Sequence, residues 1–332
     1  MPEKPIVAVT MGDAAGIGPE IIAKAFAKSN IKKICRPIVI GDSEAVRQGI
    51  KIAGVGPMDV NPIKDVKEAK YNPNFIDVLD LDNIDLSKVK SGQINVEAGR
   101  ASVEYVLKAI DLAMKKKIDA ITTAPINKFA MYKAGYNYEG HTEILADKTK
   151  TKDYAMIFLS DSLWLALVTT HIALKHVPKH VTKEKILSTI KIVDSLVKTL
   201  RLKKAKIAVA GLNPHAGENG LFGKEEIREI KPAIEEAKKL GIKVEGPISP
   251  DAVFYLANAG MYDVVVAMYH DQGLIPFKLL SFNKSVNVTV GLPIVRTSVD
   301  HGTGYDIVGK GWANPGSLIE AIKVATLLAE RK

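Results

Sequence analysis

A chain of 332 residues is long enough for about two domains, since single cores stop growing near ~250–300 residues. Its 47% hydrophobic and 25% charged residues are globular averages and exclude a disordered, collagen-like or coiled-coil chain. The net charge of +9 comes from lysines scattered over helical faces, as in KKKID, RLKKAKIAV and EEAKKLGIKV, without aromatic interleaving; this predicts a solvated basic surface that favours anionic substrates rather than a nucleic-acid interface. No run approaches the ~18–20 apolar residues of a membrane span, and MPEKPIVAVTMGD holds no signal-peptide core, so a cytoplasmic location without a membrane partner is expected. The lone Cys35 excludes an internal disulfide and reads as a buried structural thiol. Glutamine occurs only at Gln48, Gln93 and Gln272, a bias reported for heat-adapted proteins.

In chain order, short β-branched runs alternate with amphipathic stretches. PIVAVTM precedes IGPEIIAKAFAKS, RPIVIGD precedes SEAVRQGIKIAG, and IDAITTAP follows VEAGRASVEYVLKAIDLAMKKK. The segment Val55 to Asn95 reads as an irregular excursion with its own short strand at FIDVLDL. Later come LWLALVTT, KIAVAGL, YDVVVAMY and VNVTVGL, with helices between most of them. Continuous apolar strands separated by helices indicate a mostly parallel sheet covered on both faces, an α/β fold. The stretch from about Thr182 to Leu200 puts Ile186, Ile190, Val193, Val197 and Leu200 on one helical face. A last helix starts at Asn314-Pro315, a cap followed by proline at the first helical position, and runs apolar through Leu318, Ile319, Ile322 and Leu327.

Three histidines directly follow apolar strands: His171 in LWLALVTTHIALKH, His215 in KIAVAGLNPHAGENG and His270 in YDVVVAMYHDQG. Loops leaving the carboxyl ends of parallel strands line the ligand crevice, so the three imidazoles are candidates to converge on a catalytic metal, with positions left open for substrate or water. The alternative is that each is a separate capping or core residue. His176 and His180, in the Lys-rich KHVPKH, read as surface residues.

MGDAAGIGPEII places Gly12, Gly16 and Gly18 between a strand and a helix. Their spacing fits neither a dinucleotide fingerprint nor a Walker loop, which leaves a phosphate-binding loop and a tight structural turn equally open. Lys278, Arg296 and the His141-Thr142 pair lie in or beside glycine-rich or strand-end loops, where arginine offers a fork and lysine a point charge to phosphate or carboxylate; surface ion pairing is the plainer reading of each.

Read together, GDAAGIGPEI, GHTEILAD, TTHIALKHVP, GLNPHAGENG, AMYHDQGLIPFK and VNVTVGLPIVRTSVDHGTGYDIVGKG resemble the 4-hydroxythreonine-4-phosphate dehydrogenase family of pyridoxal phosphate biosynthesis over nearly the whole chain. Where that family typically has proline, GDPAGIGPE, this chain has Ala14, which implies a slightly less rigid turn. The resemblance makes His171, His215 and His270 the ligands of one divalent metal (Zn, Co or Mg). His141, Thr142, Lys278, Asn287 and Arg296 become substrate-binding positions, and Asp251 in GPISPDAVF a substrate-site acid. HGTGYDIVGKGWANP also resembles the cofactor loop of isopropylmalate-type dehydrogenases, which assigns His301, Gly302 and Asp306 to NAD or NADP. The resemblance further implies two α/β/α lobes of the isocitrate/isopropylmalate dehydrogenase type, residues 1–145 with 291–332 and residues 146–290, with the active site in the interlobe cleft of a homodimer.

The implied reaction is oxidation of 4-hydroxythreonine 4-phosphate by NAD, the metal acting as Lewis acid on the alcohol, to a β-keto acid that loses carbon dioxide to give 3-amino-2-oxopropyl phosphate. Lys278 or a metal-bound water takes the proton; a lysine in that role needs a lowered pKa. The competing readings are oxidation of 4-phosphothreonate or 4-phosphoerythronate by the same chemistry, acyl transfer of the phosphotransacetylase type, hydrolysis by a three-histidine metal site, and a sensor without turnover.

Overall fold

The structure is a computed structural model that describes residues 3–28, 30–202, 205–281 and 284–331. Lys203 and Lys204 of the basic stretch, and the first two residues of the signal-peptide reading, lie outside these. The chain divides into two compact units, 1–152 with 292–332, and 153–291. The expected boundaries at 145/146 and 290/291 fall nearby; the first would have cut the helix His141–Thr149, which stays whole in the first unit.

The first unit contains strands β1 (Ile6–Thr10), β2 (Arg36–Gly41), β3 (Asp59–Ile63), β4 (Phe75–Asp80) and β5 (Ala120–Thr123), together with a late strand, Val295–Val299, that becomes β12 below. Their order is β3-β4-β2-β1-β5-β12, and every pair is parallel. β1, β2, β5 and β12 are buried almost without interruption, which is what coverage of both sheet faces requires. The excursion from Val55 to Asn95 is more regular than expected: it supplies β3 as well as β4, and both join the sheet. Cys35 is buried beside β2, and burial pushes its thiol up to about 11, as an inert structural residue requires.

The second unit holds β6 (Ala155–Leu159), β7 (Trp164–Leu167), β8 (Ile207–Ala210), β9 (Val244–Ile248), β10 (Val264–Ala267) and β11 (Val286–Val290). They run in the order β11-β6-β7-β10-β8-β9. The pairs from β7 to β9 are parallel, whereas β6 is antiparallel to both β11 and β7. The helix Lys183–Thr199 forms as its periodicity predicts, with Ile186, Ile190, Val193 and Val197 buried and Thr182 capping its start. The core centres on Phe158, Leu165, Leu167, Phe254, Val265 and Phe277.

The last helix runs Gly316–Arg331, one residue later than predicted, and the Asn314 side chain caps it by accepting the Gly316 N–H. Its buried face comprises Leu318, Ala321, Ile322, Ala325 and Leu328, while Ile319 and Leu327 sit at the margin. No helix among the described residues is long and apolar enough to cross a membrane.

Candidate active site

In the second unit β7, β10 and β8 are neighbours and parallel, so their carboxyl ends lie side by side. His171 follows the end of β7, His215 that of β8 and His270 that of β10, each by three to five residues. The sequence thus places the three predicted imidazoles on one edge of one sheet.

The loops that carry them are tied together by hydrogen bonds. Thr169, two residues before His171, donates from its amide (3.1 Å) and its hydroxyl (2.7 Å) to the Met268 carbonyl, two residues before His270. Gln272 accepts from the Met268 amide at 2.6 Å and donates to the Gly211 carbonyl at 2.8 Å, linking the His270 loop to the exit of β8.

The His171 and His270 rings are 5.8 Å apart, and His270 Nδ1 lies 2.7 Å from a carboxylate oxygen of Asp271. That contact leaves Nε2 as the ring atom that could ligate, an arrangement like the carboxylate–histidine pairs that orient metal-bound imidazoles. His215 packs on Phe222 with ring centroids 6.2 Å apart. Asp251, in the first turn of the helix Pro250–Asn258, accepts a hydrogen bond from the Ser249 hydroxyl, which is the main reason its carboxyl is held below the usual range; the charge of His215 lowers it further. The acid is therefore both a helix-start residue and a neighbour of His215. No three His, Cys, Asp or Glu side chains among the described residues already surround a metal-sized point. The donor types and their strand-end placement nevertheless fit a divalent ion bound with open positions.

His215 begins an unusual backbone segment. Residues 215–219 take φ values of 53°, 50°, 81°, 40° and 55°, a left-handed turn in which only Gly217 is a glycine. Each L-residue there costs roughly 1–2 kcal/mol, so the surroundings must impose the conformation.

Lys278 lies on the helix His270–Ser281, eight residues past its first histidine, about 12 Å along a regular helix axis. Asn287 is on β11; its amide reaches the Met156 sulfur at 3.6 Å, and its buried Oδ1 has no hydrogen-bond partner among the described residues.

The first unit carries a buried cationic group of its own. Arg296 on β12 is 2% exposed and donates to the Thr123 hydroxyl at 2.8 Å. Burial pulls its guanidinium down to about 9, against the opposing charge of Glu143, so it stays charged at neutral pH. His141 and the buried Thr142 open the helix His141–Thr149. Burial, and then the charges of Arg296 and Lys128, hold the His141 imidazole well below its ordinary value, so it is neutral. Its Nε2 is shut off from solvent without a hydrogen-bond partner among the described residues. A neutral donor beside a buried arginine at a helix start suits an anion.

The glycine-rich loop after β1 proves to be the tight turn. A Cβ at Gly12, whose φ is +74°, would stand 2.3 Å from the Pro125 carbonyl oxygen. Asp13, fully buried, accepts from the Ala15 amide at 2.8 Å and from the Tyr305 hydroxyl at 2.5 Å, and Ile17 donates to the Thr303 carbonyl at 2.9 Å. The loop thereby holds the HGTGY segment. Lys24, paired with Glu20 at 2.6 Å, donates to the carbonyls of Gly311 and Ala313 and fixes the far end of the same segment. Gly302, just before the first of these anchors, and Asp306, between them, are exposed. His301 Nδ1 lies 3.0 Å from the Gly302 carbonyl oxygen, while its buried Nε2 has no partner among the described residues. An open glycine beside an unpartnered buried nitrogen fits a bound cofactor.

Sequence reasoning did not single out Thr169, Asp271, Gln272, Glu226 or the Asp13–Tyr305 pair. Asp271 had a signal, an acid adjoining a candidate ligand. Thr169, Gln272 and Glu226 act largely through backbone groups, and Asp13 and Tyr305 meet across 292 residues, so none leaves a spacing to read.

The fold defines the class first: an α/β protein of two units whose strands are mostly parallel. The family model described as Pyridoxal phosphate biosynthetic protein PdxA matches residues 33–325, and the chain belongs to the PdxA family. It is 45% identical over 327 residues to the 4-hydroxythreonine-4-phosphate dehydrogenase of Desulforapulum autotrophicum, covering 98% of this chain and 96% of that protein. A Clostridium botulinum protein provisionally named D-threonate 4-phosphate dehydrogenase is also 45% identical, over 322 residues that cover 97% and 96% of the two chains. The crystal structure of 4-hydroxythreonine-4-phosphate dehydrogenase from Klebsiella pneumoniae superposes with a TM-score of 0.88 at 41% identity and covers 98% of both chains.

Proposed function

We propose that the chain is an NAD-linked dehydrogenase of a four-carbon acid phosphate, with 4-hydroxythreonine 4-phosphate as substrate. The observation that carries the reading is the row of His171, His215 and His270 at the ends of three adjacent parallel strands, in a chain of the PdxA family. The three histidines would hold a zinc, cobalt or magnesium ion, whose chemistry when bound is Lewis acidity toward the substrate alcohol.

The chain's own residues bind and orient. Arg296, charged and buried, supplies a fork for the anionic end of the substrate, and His141 and Thr142 add neutral donors that need no counter-ion. Lys278 and Asn287 complete the polar contacts, and their effect is to hold the alcohol C–H toward the nicotinamide. His301, Gly302 and Asp306 receive the NAD or NADP. Lys278 would take the alcohol proton, and Asp251 is a substrate-site acid. NAD, when bound, would supply the two-electron oxidation of the alcohol to a β-keto acid, whose loss of carbon dioxide would give 3-amino-2-oxopropyl phosphate. The reading extends to a homodimer acting in the cytoplasm, which light scattering and cell fractionation check.

A second reading, oxidation of 4-phosphothreonate, is favoured by the Clostridium botulinum relative, whose identity equals that of the Desulforapulum protein. The test is NADH formation by metal-stripped protein resupplied with zinc, cobalt or magnesium, on acid phosphates with and without the amine, beside a His215→Ala variant. Metal-dependent turnover of the amine substrate that the variant lacks is the expected result. Turnover of threonate or erythronate phosphate alone would move the substrate, and turnover indifferent to metal would remove the three-histidine site.

A further inference from the structure

Glu226 is a glutamate only 1% exposed, at the start of a π-helical turn, Glu226–Ile230, that leads into the helix Lys231–Lys239. A buried carboxylate needs donors, and those of Glu226 come from the residues just before His215. One oxygen accepts from the amides of Leu212 at 2.8 Å and Asn213 at 2.7 Å, and the other from the Asn213 side-chain amide at 3.0 Å. The same carboxylate fills the inside of the left-handed turn: a Cβ on Gly217 would come within 2.6 Å of it, and one on Gly211, at the exit of β8, within 3.3 Å. Glu225 shares the Asn213 side chain at 2.8 Å. The strained run 215–219 is thus gripped on its inner side by one group that touches both its approach and its middle.

We infer that Glu226 is the positioning residue that sets the direction of His215, by fixing Leu212 and Asn213 ahead of the left-handed turn; this rests on the reading above that His215 is a metal ligand. Apolar filling could close the same space, but it would leave two backbone donors and one side-chain donor unpaired. The carboxylate instead converts them into a fixed backbone exit, which decides where the imidazole stands.

The test uses the full chain stripped of metal and titrated with cobalt, read by the visible absorption of histidine-bound cobalt and by competition with a chromophoric chelator. The unfolding midpoint of each metal-free protein is measured alongside. Groups that orient metal ligands without touching the metal change affinity by about 10–100-fold. Glu226→Ala is expected to weaken cobalt binding within that range and to alter the band shape. Glu226→Gln keeps the backbone acceptor and the same volume but sets a donor against the Asn213 side chain; it is expected to weaken binding by about 10-fold, at the low edge of that range, with a smaller change in unfolding midpoint than Glu226→Ala. If Glu226→Ala does not fold, Glu226→Gln decides, because a purely structural role moves the midpoint and not the affinity. Wild-type cobalt affinity in Glu226→Gln overturns the proposal. A His215→Ala control separates the two readings: cobalt lost in the control but kept in the Glu226 variant removes only the role of Glu226, whereas cobalt kept in the control removes the metal reading and this role with it.

Discussion

His141 is a neutral imidazole surrounded by positive charge, and its titration has a consequence for stability. Its folded pKa is depressed below the ordinary value, by burial first and by Arg296 and Lys128 second. Between that lowered value and about 6.5, the unfolded chain binds a proton that the folded chain does not, so stability falls as pH drops below about 6.5, by at most about 1.4 kcal/mol per pH unit. His141→Asn should flatten this slope when denaturant unfolding is followed from neutral to mildly acidic pH, and a variant with the parental slope would contradict the assignment. Residues of this kind were legible in the sequence, since a histidine or arginine beside an apolar strand stands out against its neighbours. Glu226 was not: KEEIREI looks like the solvated first turn of a helix, and only the tertiary structure turns one of its acids inward.

At the scale of elements, the histidine edge depends on how its loops are joined. Gln272 bridges two of them with one side chain. Gln272→Ala leaves the Met268 amide and the Gly211 carbonyl without it, for an expected loss of about 1–3 kcal/mol, together with faster hydrogen exchange at Met268 and weaker cobalt binding. Full protection at Met268 in that variant would show that the loops hold without the bridge. Most strands could be read from their continuous apolar runs; β6 and β12 were not, nor were β3 and β9, where DVNPI and VEGPI contain Pro62 and Pro247. Proline removes a ladder donor and is confined to edges and strand starts, and these two strands close the outer edges of their units. The glycine loop after β1 was ambiguous for a different reason. Its spacing gives no sign of whether Pro125 and Thr303 or a phosphate will occupy the space that its missing side chains leave.

Over the whole molecule, the first unit is interrupted after Lys152 and resumes at Leu292. The intervening piece begins and ends on antiparallel partners, β6 and β11, with Ala155 opposite Val290. Its two ends are therefore neighbours across one strand pair, at the ordinary inter-strand spacing of about 5 Å. Residues 153–291 carry their own core and all three histidines. Expressed alone, this segment should unfold cooperatively and bind cobalt with the stoichiometry of the full chain; a fragment without a thermal transition would show that it borrows stability from the rest. With its ends side by side, the segment is built like a cassette: it could be cut out, joined end to end and reopened at another surface loop, or grafted into the hairpin of an unrelated host, without altering the strands that carry the histidines.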